Sequence, residues 1–496
     1  MNKQIRRLAV GLAACYVLLF VQLNVLQVGR QTALNGDFRN QRQTERDFNK
    51  PRGPIVSSDG VVLAETVPSA PGDKIKYQRT YPTGDLFSNV TGYYTFAYGS
   101  TQLERSKNDV LTGSTSEQQL RALPNLLGGG DNTGSVVLTM RDDVQQVAAK
   151  ALGGHEGSVV VMDPHSGAVL AMVSNPRFDP NPIADHDTAK AGAFLDALNQ
   201  YPGKPLLANA YQERYMPGSA FKVLTTSIAF EDGVTTMDRS FPVLTSWTPP
   251  QTTNPIGNYG GEACGGTMAV VFYRSCNIPF AQMAIELGPQ RMVDGVKKWG
   301  VGEKLPFDLP GAVASKFGEV ADFTNSLPLL GIGGFGQGED QMVPLHMAMV
   351  ASTVANGGQM MKPYAIKATL DHKGGVLDQT QPAVWKEPIL ASTAATLTTL
   401  MIGVVNQGTA RQMQLANNIQ AAAKTGTAQL NSKGQPEQSN AWIIGFAPAD
   451  NPKYAIAVVL RGGPNDAISA STGGRLAGPI AKAVLDYMFA NNTPTS

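Results

Sequence analysis

The pattern that most directly indicates chemistry is a serine followed three residues later by a lysine, Ser219 and Lys222. Residues at this spacing lie on one face of a helix, and a serine hydroxyl becomes a useful nucleophile when a nearby base takes its proton. Pro217 and Gly218 precede the pair, and apolar residues then recur at helical spacing. The pattern therefore predicts a nucleophile at a helix N-terminus, where backbone N–H groups favour developing negative charge. Alone, the pattern is weak, and a capping serine with a solvated lysine explains it better.

Two further elements follow in order along the chain, Ser275-Cys276-Asn277 and Lys424-Thr425-Gly426-Thr427. The succession Ser-x-x-Lys, Ser-x-Asn, Lys-Thr-Gly is close to a signature of penicillin-binding proteins and serine β-lactamases. On these residues the chain resembles a penicillin-binding protein. The resemblance covers most of residues 52 to 490 and implies an α+β fold, in which helices flank an antiparallel sheet.

The resemblance also implies roles for the residues that do the chemistry. Ser219 is the expected nucleophile and Lys222 the expected base. Ser275 is expected to relay a proton towards the leaving amine, with electrostatic support from Lys424. The oxyanion hole is expected to consist of the backbone N–H groups of Ser219 and Thr427, and loss of one such donor typically costs about 2.7–4 kcal/mol.

The remaining motif residues are expected to bind substrate. The Asn277 amide has both a donor and an acceptor and suits a substrate backbone amide. Lys424 suits a terminal carboxylate by charge, and Thr425 and Thr427 suit it by hydroxyl hydrogen bonds. Gly426 is expected to let the strand backbone approach the substrate closely.

A second resemblance narrows the class. The segment from Arg52 to Ala64 is similar to the one that opens the non-catalytic domain of class B penicillin-binding proteins, and its Asp59-Gly60 dipeptide predicts a hairpin. About a hundred poorly patterned residues precede the catalytic part, which leaves no room for a glycosyltransferase domain. The chain looks most like the short actinobacterial division-associated type.

These resemblances imply a D,D-transpeptidase that cross-links peptidoglycan stem peptides and is acylated by β-lactam antibiotics. A separate membrane glycan polymerase and other cell-wall or division proteins are the expected partners. Two alternatives remain open: a D,D-carboxypeptidase, in which water accepts the acyl group, and a penicillin-binding sensor or scaffold without turnover.

The N-terminus predicts a membrane anchor. An apolar run of 21 residues extends from Leu8 to Val28, and about 20 are needed to cross a bilayer. Basic residues before the run place the N-terminus in the cytoplasm and the catalytic domain outside the cell membrane; they are Lys3, Arg6 and Arg7. A lipoprotein processing site at Cys15 and a cleaved signal peptide are alternatives. The polar residues Gln22, Asn24 and Gln27 lie either near the outer interface or against a partner helix.

The domain organisation follows from these segments. Residues 1–29 are expected to be a cytoplasmic tail and transmembrane anchor. Residues 30–152 are expected to form a smaller, strand-rich, non-catalytic domain of the pedestal or dimerisation type, and residues 153–496 the transpeptidase domain. A hydrophobic content of 42% is sufficient for real cores in a chain of 496 residues.

Composition argues against several other functions. A formal net charge of +1 gives no indication of nucleic-acid binding. The five histidines show no paired spacing, so no metal site and no cofactor are expected.

Cys264 and Cys276 both lie in the exported part, where an oxidising compartment permits a disulfide; two buried, unreactive thiols are the alternative. Phe335-Gly336-Gln337-Gly338 resembles an active-site wall element or is a plain loop, and Trp442 is expected to pack in the core.

Overall fold

The computed structural model describes residues 3–25, 48–122, 132–430, 438–464 and 466–495. The described chain divides into two compact units, Met1–Pro51 with Val67–Gln78 and Arg52–Thr66 with Arg79–Ser496. The five-stranded sheet that carries the third motif lies in the second unit.

The catalytic part is built on a five-stranded sheet in which every neighbouring pair is antiparallel. In spatial order its strands are Ala422–Gln429, Ser439–Ala447, Tyr454–Arg461, Gly157–Met162 and Val169–Asn175. The three C-terminal strands thus join the first hairpin of the catalytic part. The Lys-Thr-Gly motif lies on the strand Ala422–Gln429, which is an edge strand of this sheet.

Helices cover this sheet because its strands are apolar on both faces. All nine residues of Ser439–Ala447 are buried. Asp142–Leu152 packs with Gly473–Ala490, and Pro344–Ala355 packs with Ala391–Asn406; both pairs contact the sheet. The helix Lys222–Glu231 packs against Ile278–Lys298 and Ala391–Asn406, which fixes its N-terminal end near the edge strand.

A second, six-stranded sheet lies in the N-terminal part. Its strands are, in order, Val376–Gln379, Ile366–Leu370, Ser135–Leu138, Ile55–Val56, Val62–Pro68 and Tyr77–Thr80. The predicted hairpin around Asp59-Gly60 is present, with Gly60 at a φ of +87°.

The two sheets do not separate at residue 152, and the domain boundary predicted there stays a prediction. Two strands from the catalytic sequence, Ile366–Leu370 and Val376–Gln379, complete the N-terminal sheet by pairing with Ser135–Leu138. Conversely, Asp142–Leu152 packs on strand Val169–Asn175 of the catalytic sheet. Hydrogen bonding between strands more than two hundred residues apart leaves no local pattern in the sequence, so composition alone did not reveal it.

Arg52, the first residue of the segment that resembles class B proteins, belongs to a buried ion cluster. Its Nε lies 2.6 Å from Glu104 Oε2, and Arg79 Nε lies 2.7 Å from Glu104 Oε1. The Arg52 guanidinium also stacks 4.3 Å from the centre of the Tyr94 ring. Burial acts to raise the pKa of Glu104, but the charges of Arg79 and Arg52 outweigh it and hold that pKa below its usual value. The segment is therefore fixed by charge pairing within the N-terminal part.

The N-terminal helix is Lys3–Asn24, and its side chains are exposed. Among the described residues it is the one helix long and apolar enough to cross a membrane. Asn24 donates its amide to the Phe20 carbonyl at 2.8 Å, so one of its polar groups is satisfied one turn back in the same helix. Gln27 and the end of the predicted span at Val28 lie outside the described residues.

Candidate active site

Ser219 stands in a tight turn at the start of the helix that carries Lys222. The turn, Gly218–Phe221, is a 3-10 helix that leads directly into Lys222–Glu231. Gly218 has a φ of +53°, and a Cβ atom there would lie 2.4 Å from the Thr427 carbonyl oxygen. Only glycine fits such a position. The nucleophile turn and the Lys-Thr-Gly strand therefore come into direct backbone contact, which brings the two expected oxyanion donors to adjoining elements.

The residues before the turn are held by the sheet. Trp442 is fully buried and donates its indole N–H to the Met216 carbonyl at 3.0 Å. Its ring packs edge-on against Tyr215, with centroids 6.1 Å apart. Trp442 thus lies in the core, as the sequence predicts, and it also anchors the approach to Ser219.

The second motif lies in a strained connection between two helices, Met268–Tyr273 and Ile278–Lys298. Ser275 has a φ of +61°, which is unusual for a residue with a side chain and typical of functional sites. The next residue, Cys276, forms a disulfide with Cys264, and the two Cα atoms are 5.7 Å apart. The disulfide ties the motif to the short strand Cys264–Thr267.

Lys222 points into the second motif. Its Nζ lies 2.7 Å from the Ser275 carbonyl, 2.7 Å from the Cys276 carbonyl and 2.8 Å from Asn277 Oδ1, with Ser275 Oγ at 3.3 Å. Burial, and then the charge of Lys424, lower the pKa of Lys222 well below that of an exposed lysine. Protonation of Lys222 in this buried position therefore costs free energy. The neutral amine that burial favours can act as a base.

Lys424 approaches the same serine from the other side. Its Nζ lies 2.8 Å from Ser275 Oγ and 3.1 Å from the Thr425 carbonyl. Burial lowers the pKa of Lys424 to about 7. The Ser275 hydroxyl therefore lies between two buried amines, Lys222 and Lys424, an arrangement through which a proton can pass.

The motifs open onto a cavity of about 500 Å³. The sequence-predicted residues that line it are Ser219, Ser275, Asn277, Thr425 and Thr427. None of the described lining residues is a carboxylate; the ionisable ones are Arg274 and Tyr259. The cavity is therefore suited to an anionic group.

Hydroxyl groups concentrate at the Lys-Thr-Gly side of the cavity. Thr409 Oγ1 lies 2.6 Å from Thr425 Oγ1, and Thr427 Oγ1 accepts from the Gly473 N–H at 3.2 Å. Gly426 does not line the cavity: a Cβ atom there would lie 2.4 Å from the Pro217 carbonyl oxygen. Gly426 thus lies against the nucleophile turn, and its predicted close approach to the substrate stays a prediction.

Several lining residues escaped the sequence analysis. The loop Pro255, Ile256, Gly257, Asn258, Tyr259 and Gly260 forms one wall, and Thr409 and Thr472 lie near the threonines of the third motif. Arg274 directly precedes Ser275 in the sequence, and this position could have predicted that it lines the cavity. Phe335 and Gln337 also line the cavity, which favours the wall interpretation of their glycine-rich segment.

The disulfide gives a direct prediction. The denatured, unreduced full-length chain is expected to show one reactive thiol, Cys15, and to show all three after reduction. Closing a loop of this size contributes on the order of 3 kcal/mol in the chain-entropy account. Titration with a thiol reagent counts the reactive thiols, and three of them before reduction would contradict the pairing.

Comparison with known proteins places this geometry in a family. Residues 157–486 match the penicillin binding protein transpeptidase domain, and residues 52–137 match the penicillin binding protein A dimerisation domain. The peptidoglycan D,D-transpeptidase PbpA of Mycolicibacterium smegmatis is 36% identical, over 98% of this chain and 98% of the relative. The protein of that name from Mycobacterium tuberculosis H37Rv is 34% identical, over 98% and 99%.

Solved structures give the same result. Penicillin-binding protein A from M. tuberculosis, as its ceftriaxone acyl-enzyme complex, matches with a TM-score of 0.83 and 31% identity, over 89% of this chain and 99% of that chain. Its penicillin G acyl-enzyme complex matches with a TM-score of 0.80 and 31% identity, over 89% and 100%. The chain therefore belongs to the penicillin-binding protein transpeptidase family and, within it, to class B.

Proposed function

We propose that this chain is a peptidoglycan D,D-transpeptidase that works through an acyl-enzyme on Ser219 and is acylated there by β-lactams. The observation that carries the proposal is the pair of buried amines, Lys222 and Lys424, on either side of the Ser275 hydroxyl. This network faces the cavity that Ser219 lines. The relatives named above are D,D-transpeptidases, and related structures hold β-lactams as acyl-enzymes.

The proposed acylation uses these groups in turn. Neutral Lys222 takes the proton of the Ser219 hydroxyl as its oxygen attacks the carbonyl carbon of the donor peptide. The oxyanion is stabilised by the backbone N–H groups of Ser219 and Thr427. The peptide C–N bond then breaks, and the leaving amine receives a proton through Ser275. For transfer, the amine of a second stem peptide attacks the ester and the protons return by the reverse path.

Substrate binding uses the remaining motif residues. Asn277 faces the cavity and holds a donor backbone amide, while its Oδ1 also accepts from Lys222. The terminal carboxylate of the donor is bound by the hydroxyls of Thr425 and Thr427, with the Lys424 charge behind them. Because the described cavity lining holds no carboxylate, nothing there repels this group.

The test is acylation by penicillin G, read by mass spectrometry of the intact protein and of its peptides. The protein is expected to gain one penicillin mass on the peptide that contains Ser219, and Ser219→Ala to gain none. Ser106→Ala is the matched control, because Ser106 belongs to the other Ser-x-Asn triplet of the chain. Labelling that persists in Ser219→Ala would contradict the assignment.

Transfer to an amine or to water separates the two enzyme activities. With a synthetic pentapeptide donor and an amino-acid acceptor, a transpeptidase forms the joined product, whereas a carboxypeptidase releases the hydrolysed peptide alone. We expect the joined product to dominate at high acceptor concentration.

We further propose that the chain is anchored in the cell membrane by a single pass, with the catalytic domain outside. The exposed apolar helix Lys3–Asn24 and its basic start support this arrangement. A reporter fused after Ser496 is expected to be active only in its exported form, and the mature chain to begin at or near Met1. A mature chain that begins at a lipid-modified Cys15 would replace the span with a lipid anchor.

The domain roles extend this proposal. We assign residues 1–29 to the tail and anchor, the six-stranded sheet to the non-catalytic domain, and the five-stranded sheet with its helices to the transpeptidase domain. The expected partners are a separate membrane glycan polymerase and other cell-wall or division proteins. In-cell cross-linking from the non-catalytic domain followed by mass spectrometry tests this; recovery of no membrane polymerase would count against it.

A further inference from the structure

The loop from Pro255 to Gly260 supplies six of the residues that line the active-site cavity, yet no motif includes it. One of these residues, Asn258, is buried, with 8% of its surface exposed. A buried amide that lies beside the catalytic groups must have its donors and acceptor satisfied, and the way in which Asn258 satisfies them connects the loop to the second motif.

Both ends of the Asn258 side chain are bonded. Its Oδ1 accepts from the Asn277 N–H at 2.9 Å and from the Ile278 N–H at 3.2 Å. Its Nδ2 donates to the Leu244 carbonyl at 2.9 Å and to the Glu262 carbonyl at 3.0 Å. One side chain thus joins the loop to the backbone of the Ser-x-Asn motif.

The two N–H groups that donate to Asn258 lie at the start of the helix Ile278–Lys298. The first N–H groups of a helix have no partner within the helix. Pro279 follows and has no N–H to satisfy, and Phe280 donates to the Asn277 carbonyl. Asn258 therefore completes the hydrogen bonding of this helix start from outside the helix.

This external cap changes what Asn277 does. An asparagine at an N-cap commonly uses its own side chain to cap the helix, but Asn277 makes no such bond. Its Oδ1 instead accepts from Lys222 Nζ at 2.8 Å, and its Nδ2 donates to the Gly257 carbonyl at 3.2 Å. The cap from Asn258 leaves the Asn277 amide available to the catalytic lysine and to the cavity.

We propose that Asn258 is a positioning residue for acylation: by capping the helix that begins at Asn277, it keeps the Asn277 side chain directed at Lys222 and the substrate. This inference rests on the proposed function, because it acts through the acylation of Ser219. Asn258 takes no part in bond making; its effect passes through the orientation of Asn277.

Two variants separate this role from general support of the fold. Asn258→Ala removes the cap, so that the Asn277 amide turns towards its own helix and leaves Lys222. Asn258→Asp keeps the accepted bonds and loses the donated ones, and it adds a negative charge near Lys222. Asn209→Ala is the matched control: Asn209 is buried and bonded at both ends, to Ser158 and the Asn175 carbonyl, and does not line the cavity.

The readouts are the second-order rate of acylation by a fluorescent penicillin as a function of pH, and the melting temperature of each variant. Asn258→Ala is expected to acylate about tenfold slower, as for loss of one hydrogen bond that orients the neutral Lys222 amine. The acylation rate is expected to fall at acid pH as Lys222 becomes protonated. In Asn258→Ala this acid limb of the pH–rate profile is expected to move to lower pH, because Lys222 loses an acceptor that favours its charged form. In Asn258→Asp that limb is expected to move to higher pH. The other ionisable groups near Lys222 are Lys424, Arg274 and Tyr259, which all three variants retain.

The outcomes are distinct. Asn209→Ala is expected to lose stability but to acylate at the wild-type rate with an unshifted pH profile. Wild-type rates in Asn258→Ala, or a slower rate with the acid limb unmoved in both Asn258 variants, would overturn the positioning role. If Asn258→Ala does not fold, the plateau rate of Asn258→Asp decides: the retained cap predicts a plateau close to that of the wild type, and a loss of about tenfold or more would overturn the positioning role. Failure of the wild-type protein to be acylated would refute the proposed function itself.

Discussion

Replacement of Lys222 by methionine is expected to slow the acylation of Ser219 by about 10²–10⁴-fold, the range that a general base contributes. Lys222 is fully buried, and its Nζ lies within 2.8 Å of three oxygen atoms of the second motif. Methionine fills a similar volume but cannot accept a proton. The loss therefore reports on the base and not on a collapsed core.

The measurement is stopped-flow acylation by a fluorescent penicillin, with the melting temperature as a check on folding. Lys316→Met is the matched control, since Lys316 is exposed and its backbone pairs with Gln341. It is expected to acylate at the wild-type rate. A Lys222→Met protein that folds and acylates normally would exclude Lys222 as the base.

The chemistry of the site could be predicted from sequence to the extent that it is local. Ser219 and Lys222 are three residues apart, so a helix brings them to one face without tertiary information. The assignment of Ser275 and Lys424 to the same site needed the family resemblance, because 149 residues separate them. Their joint contact with one hydroxyl became visible only in the structure.

Other features left no local pattern. Asn258 reaches Asn277 across 19 residues from a loop of turn-forming residues, whose composition fits any surface connection. Glu104 meets Arg52 and Arg79, which are 52 and 25 residues away in the sequence, in the folded chain. The strand Ile366–Leu370 lies in the catalytic sequence but pairs with Ser135–Leu138. In each case the cause is a pairing of distant groups, which periodicity and turn signals do not encode.

The second large effect concerns pH. Acylation by a penicillin is expected to follow a bell-shaped profile, whose acid limb reports protonation of Lys222 and whose alkaline limb reports loss of the proton from Lys424. The pKa of Lys424 is lowered to about 7 by burial, so its positive charge is present below that pH and lost above it. Lys222, with a pKa lowered by burial and by Lys424, must be neutral to act as a base. Because the two amines are coupled, the measured values belong to the pair.

Lys424→Arg tests the assignment of the alkaline limb. A guanidinium stays protonated up to a pH of about 12, so the variant is expected to keep its acid limb and to lose the decline above neutral pH, whatever its absolute rate. Lys453→Arg serves as the control, because Lys453 is exposed on the connection between two strands of the same sheet. An alkaline limb that persists unchanged in Lys424→Arg would show that another group titrates.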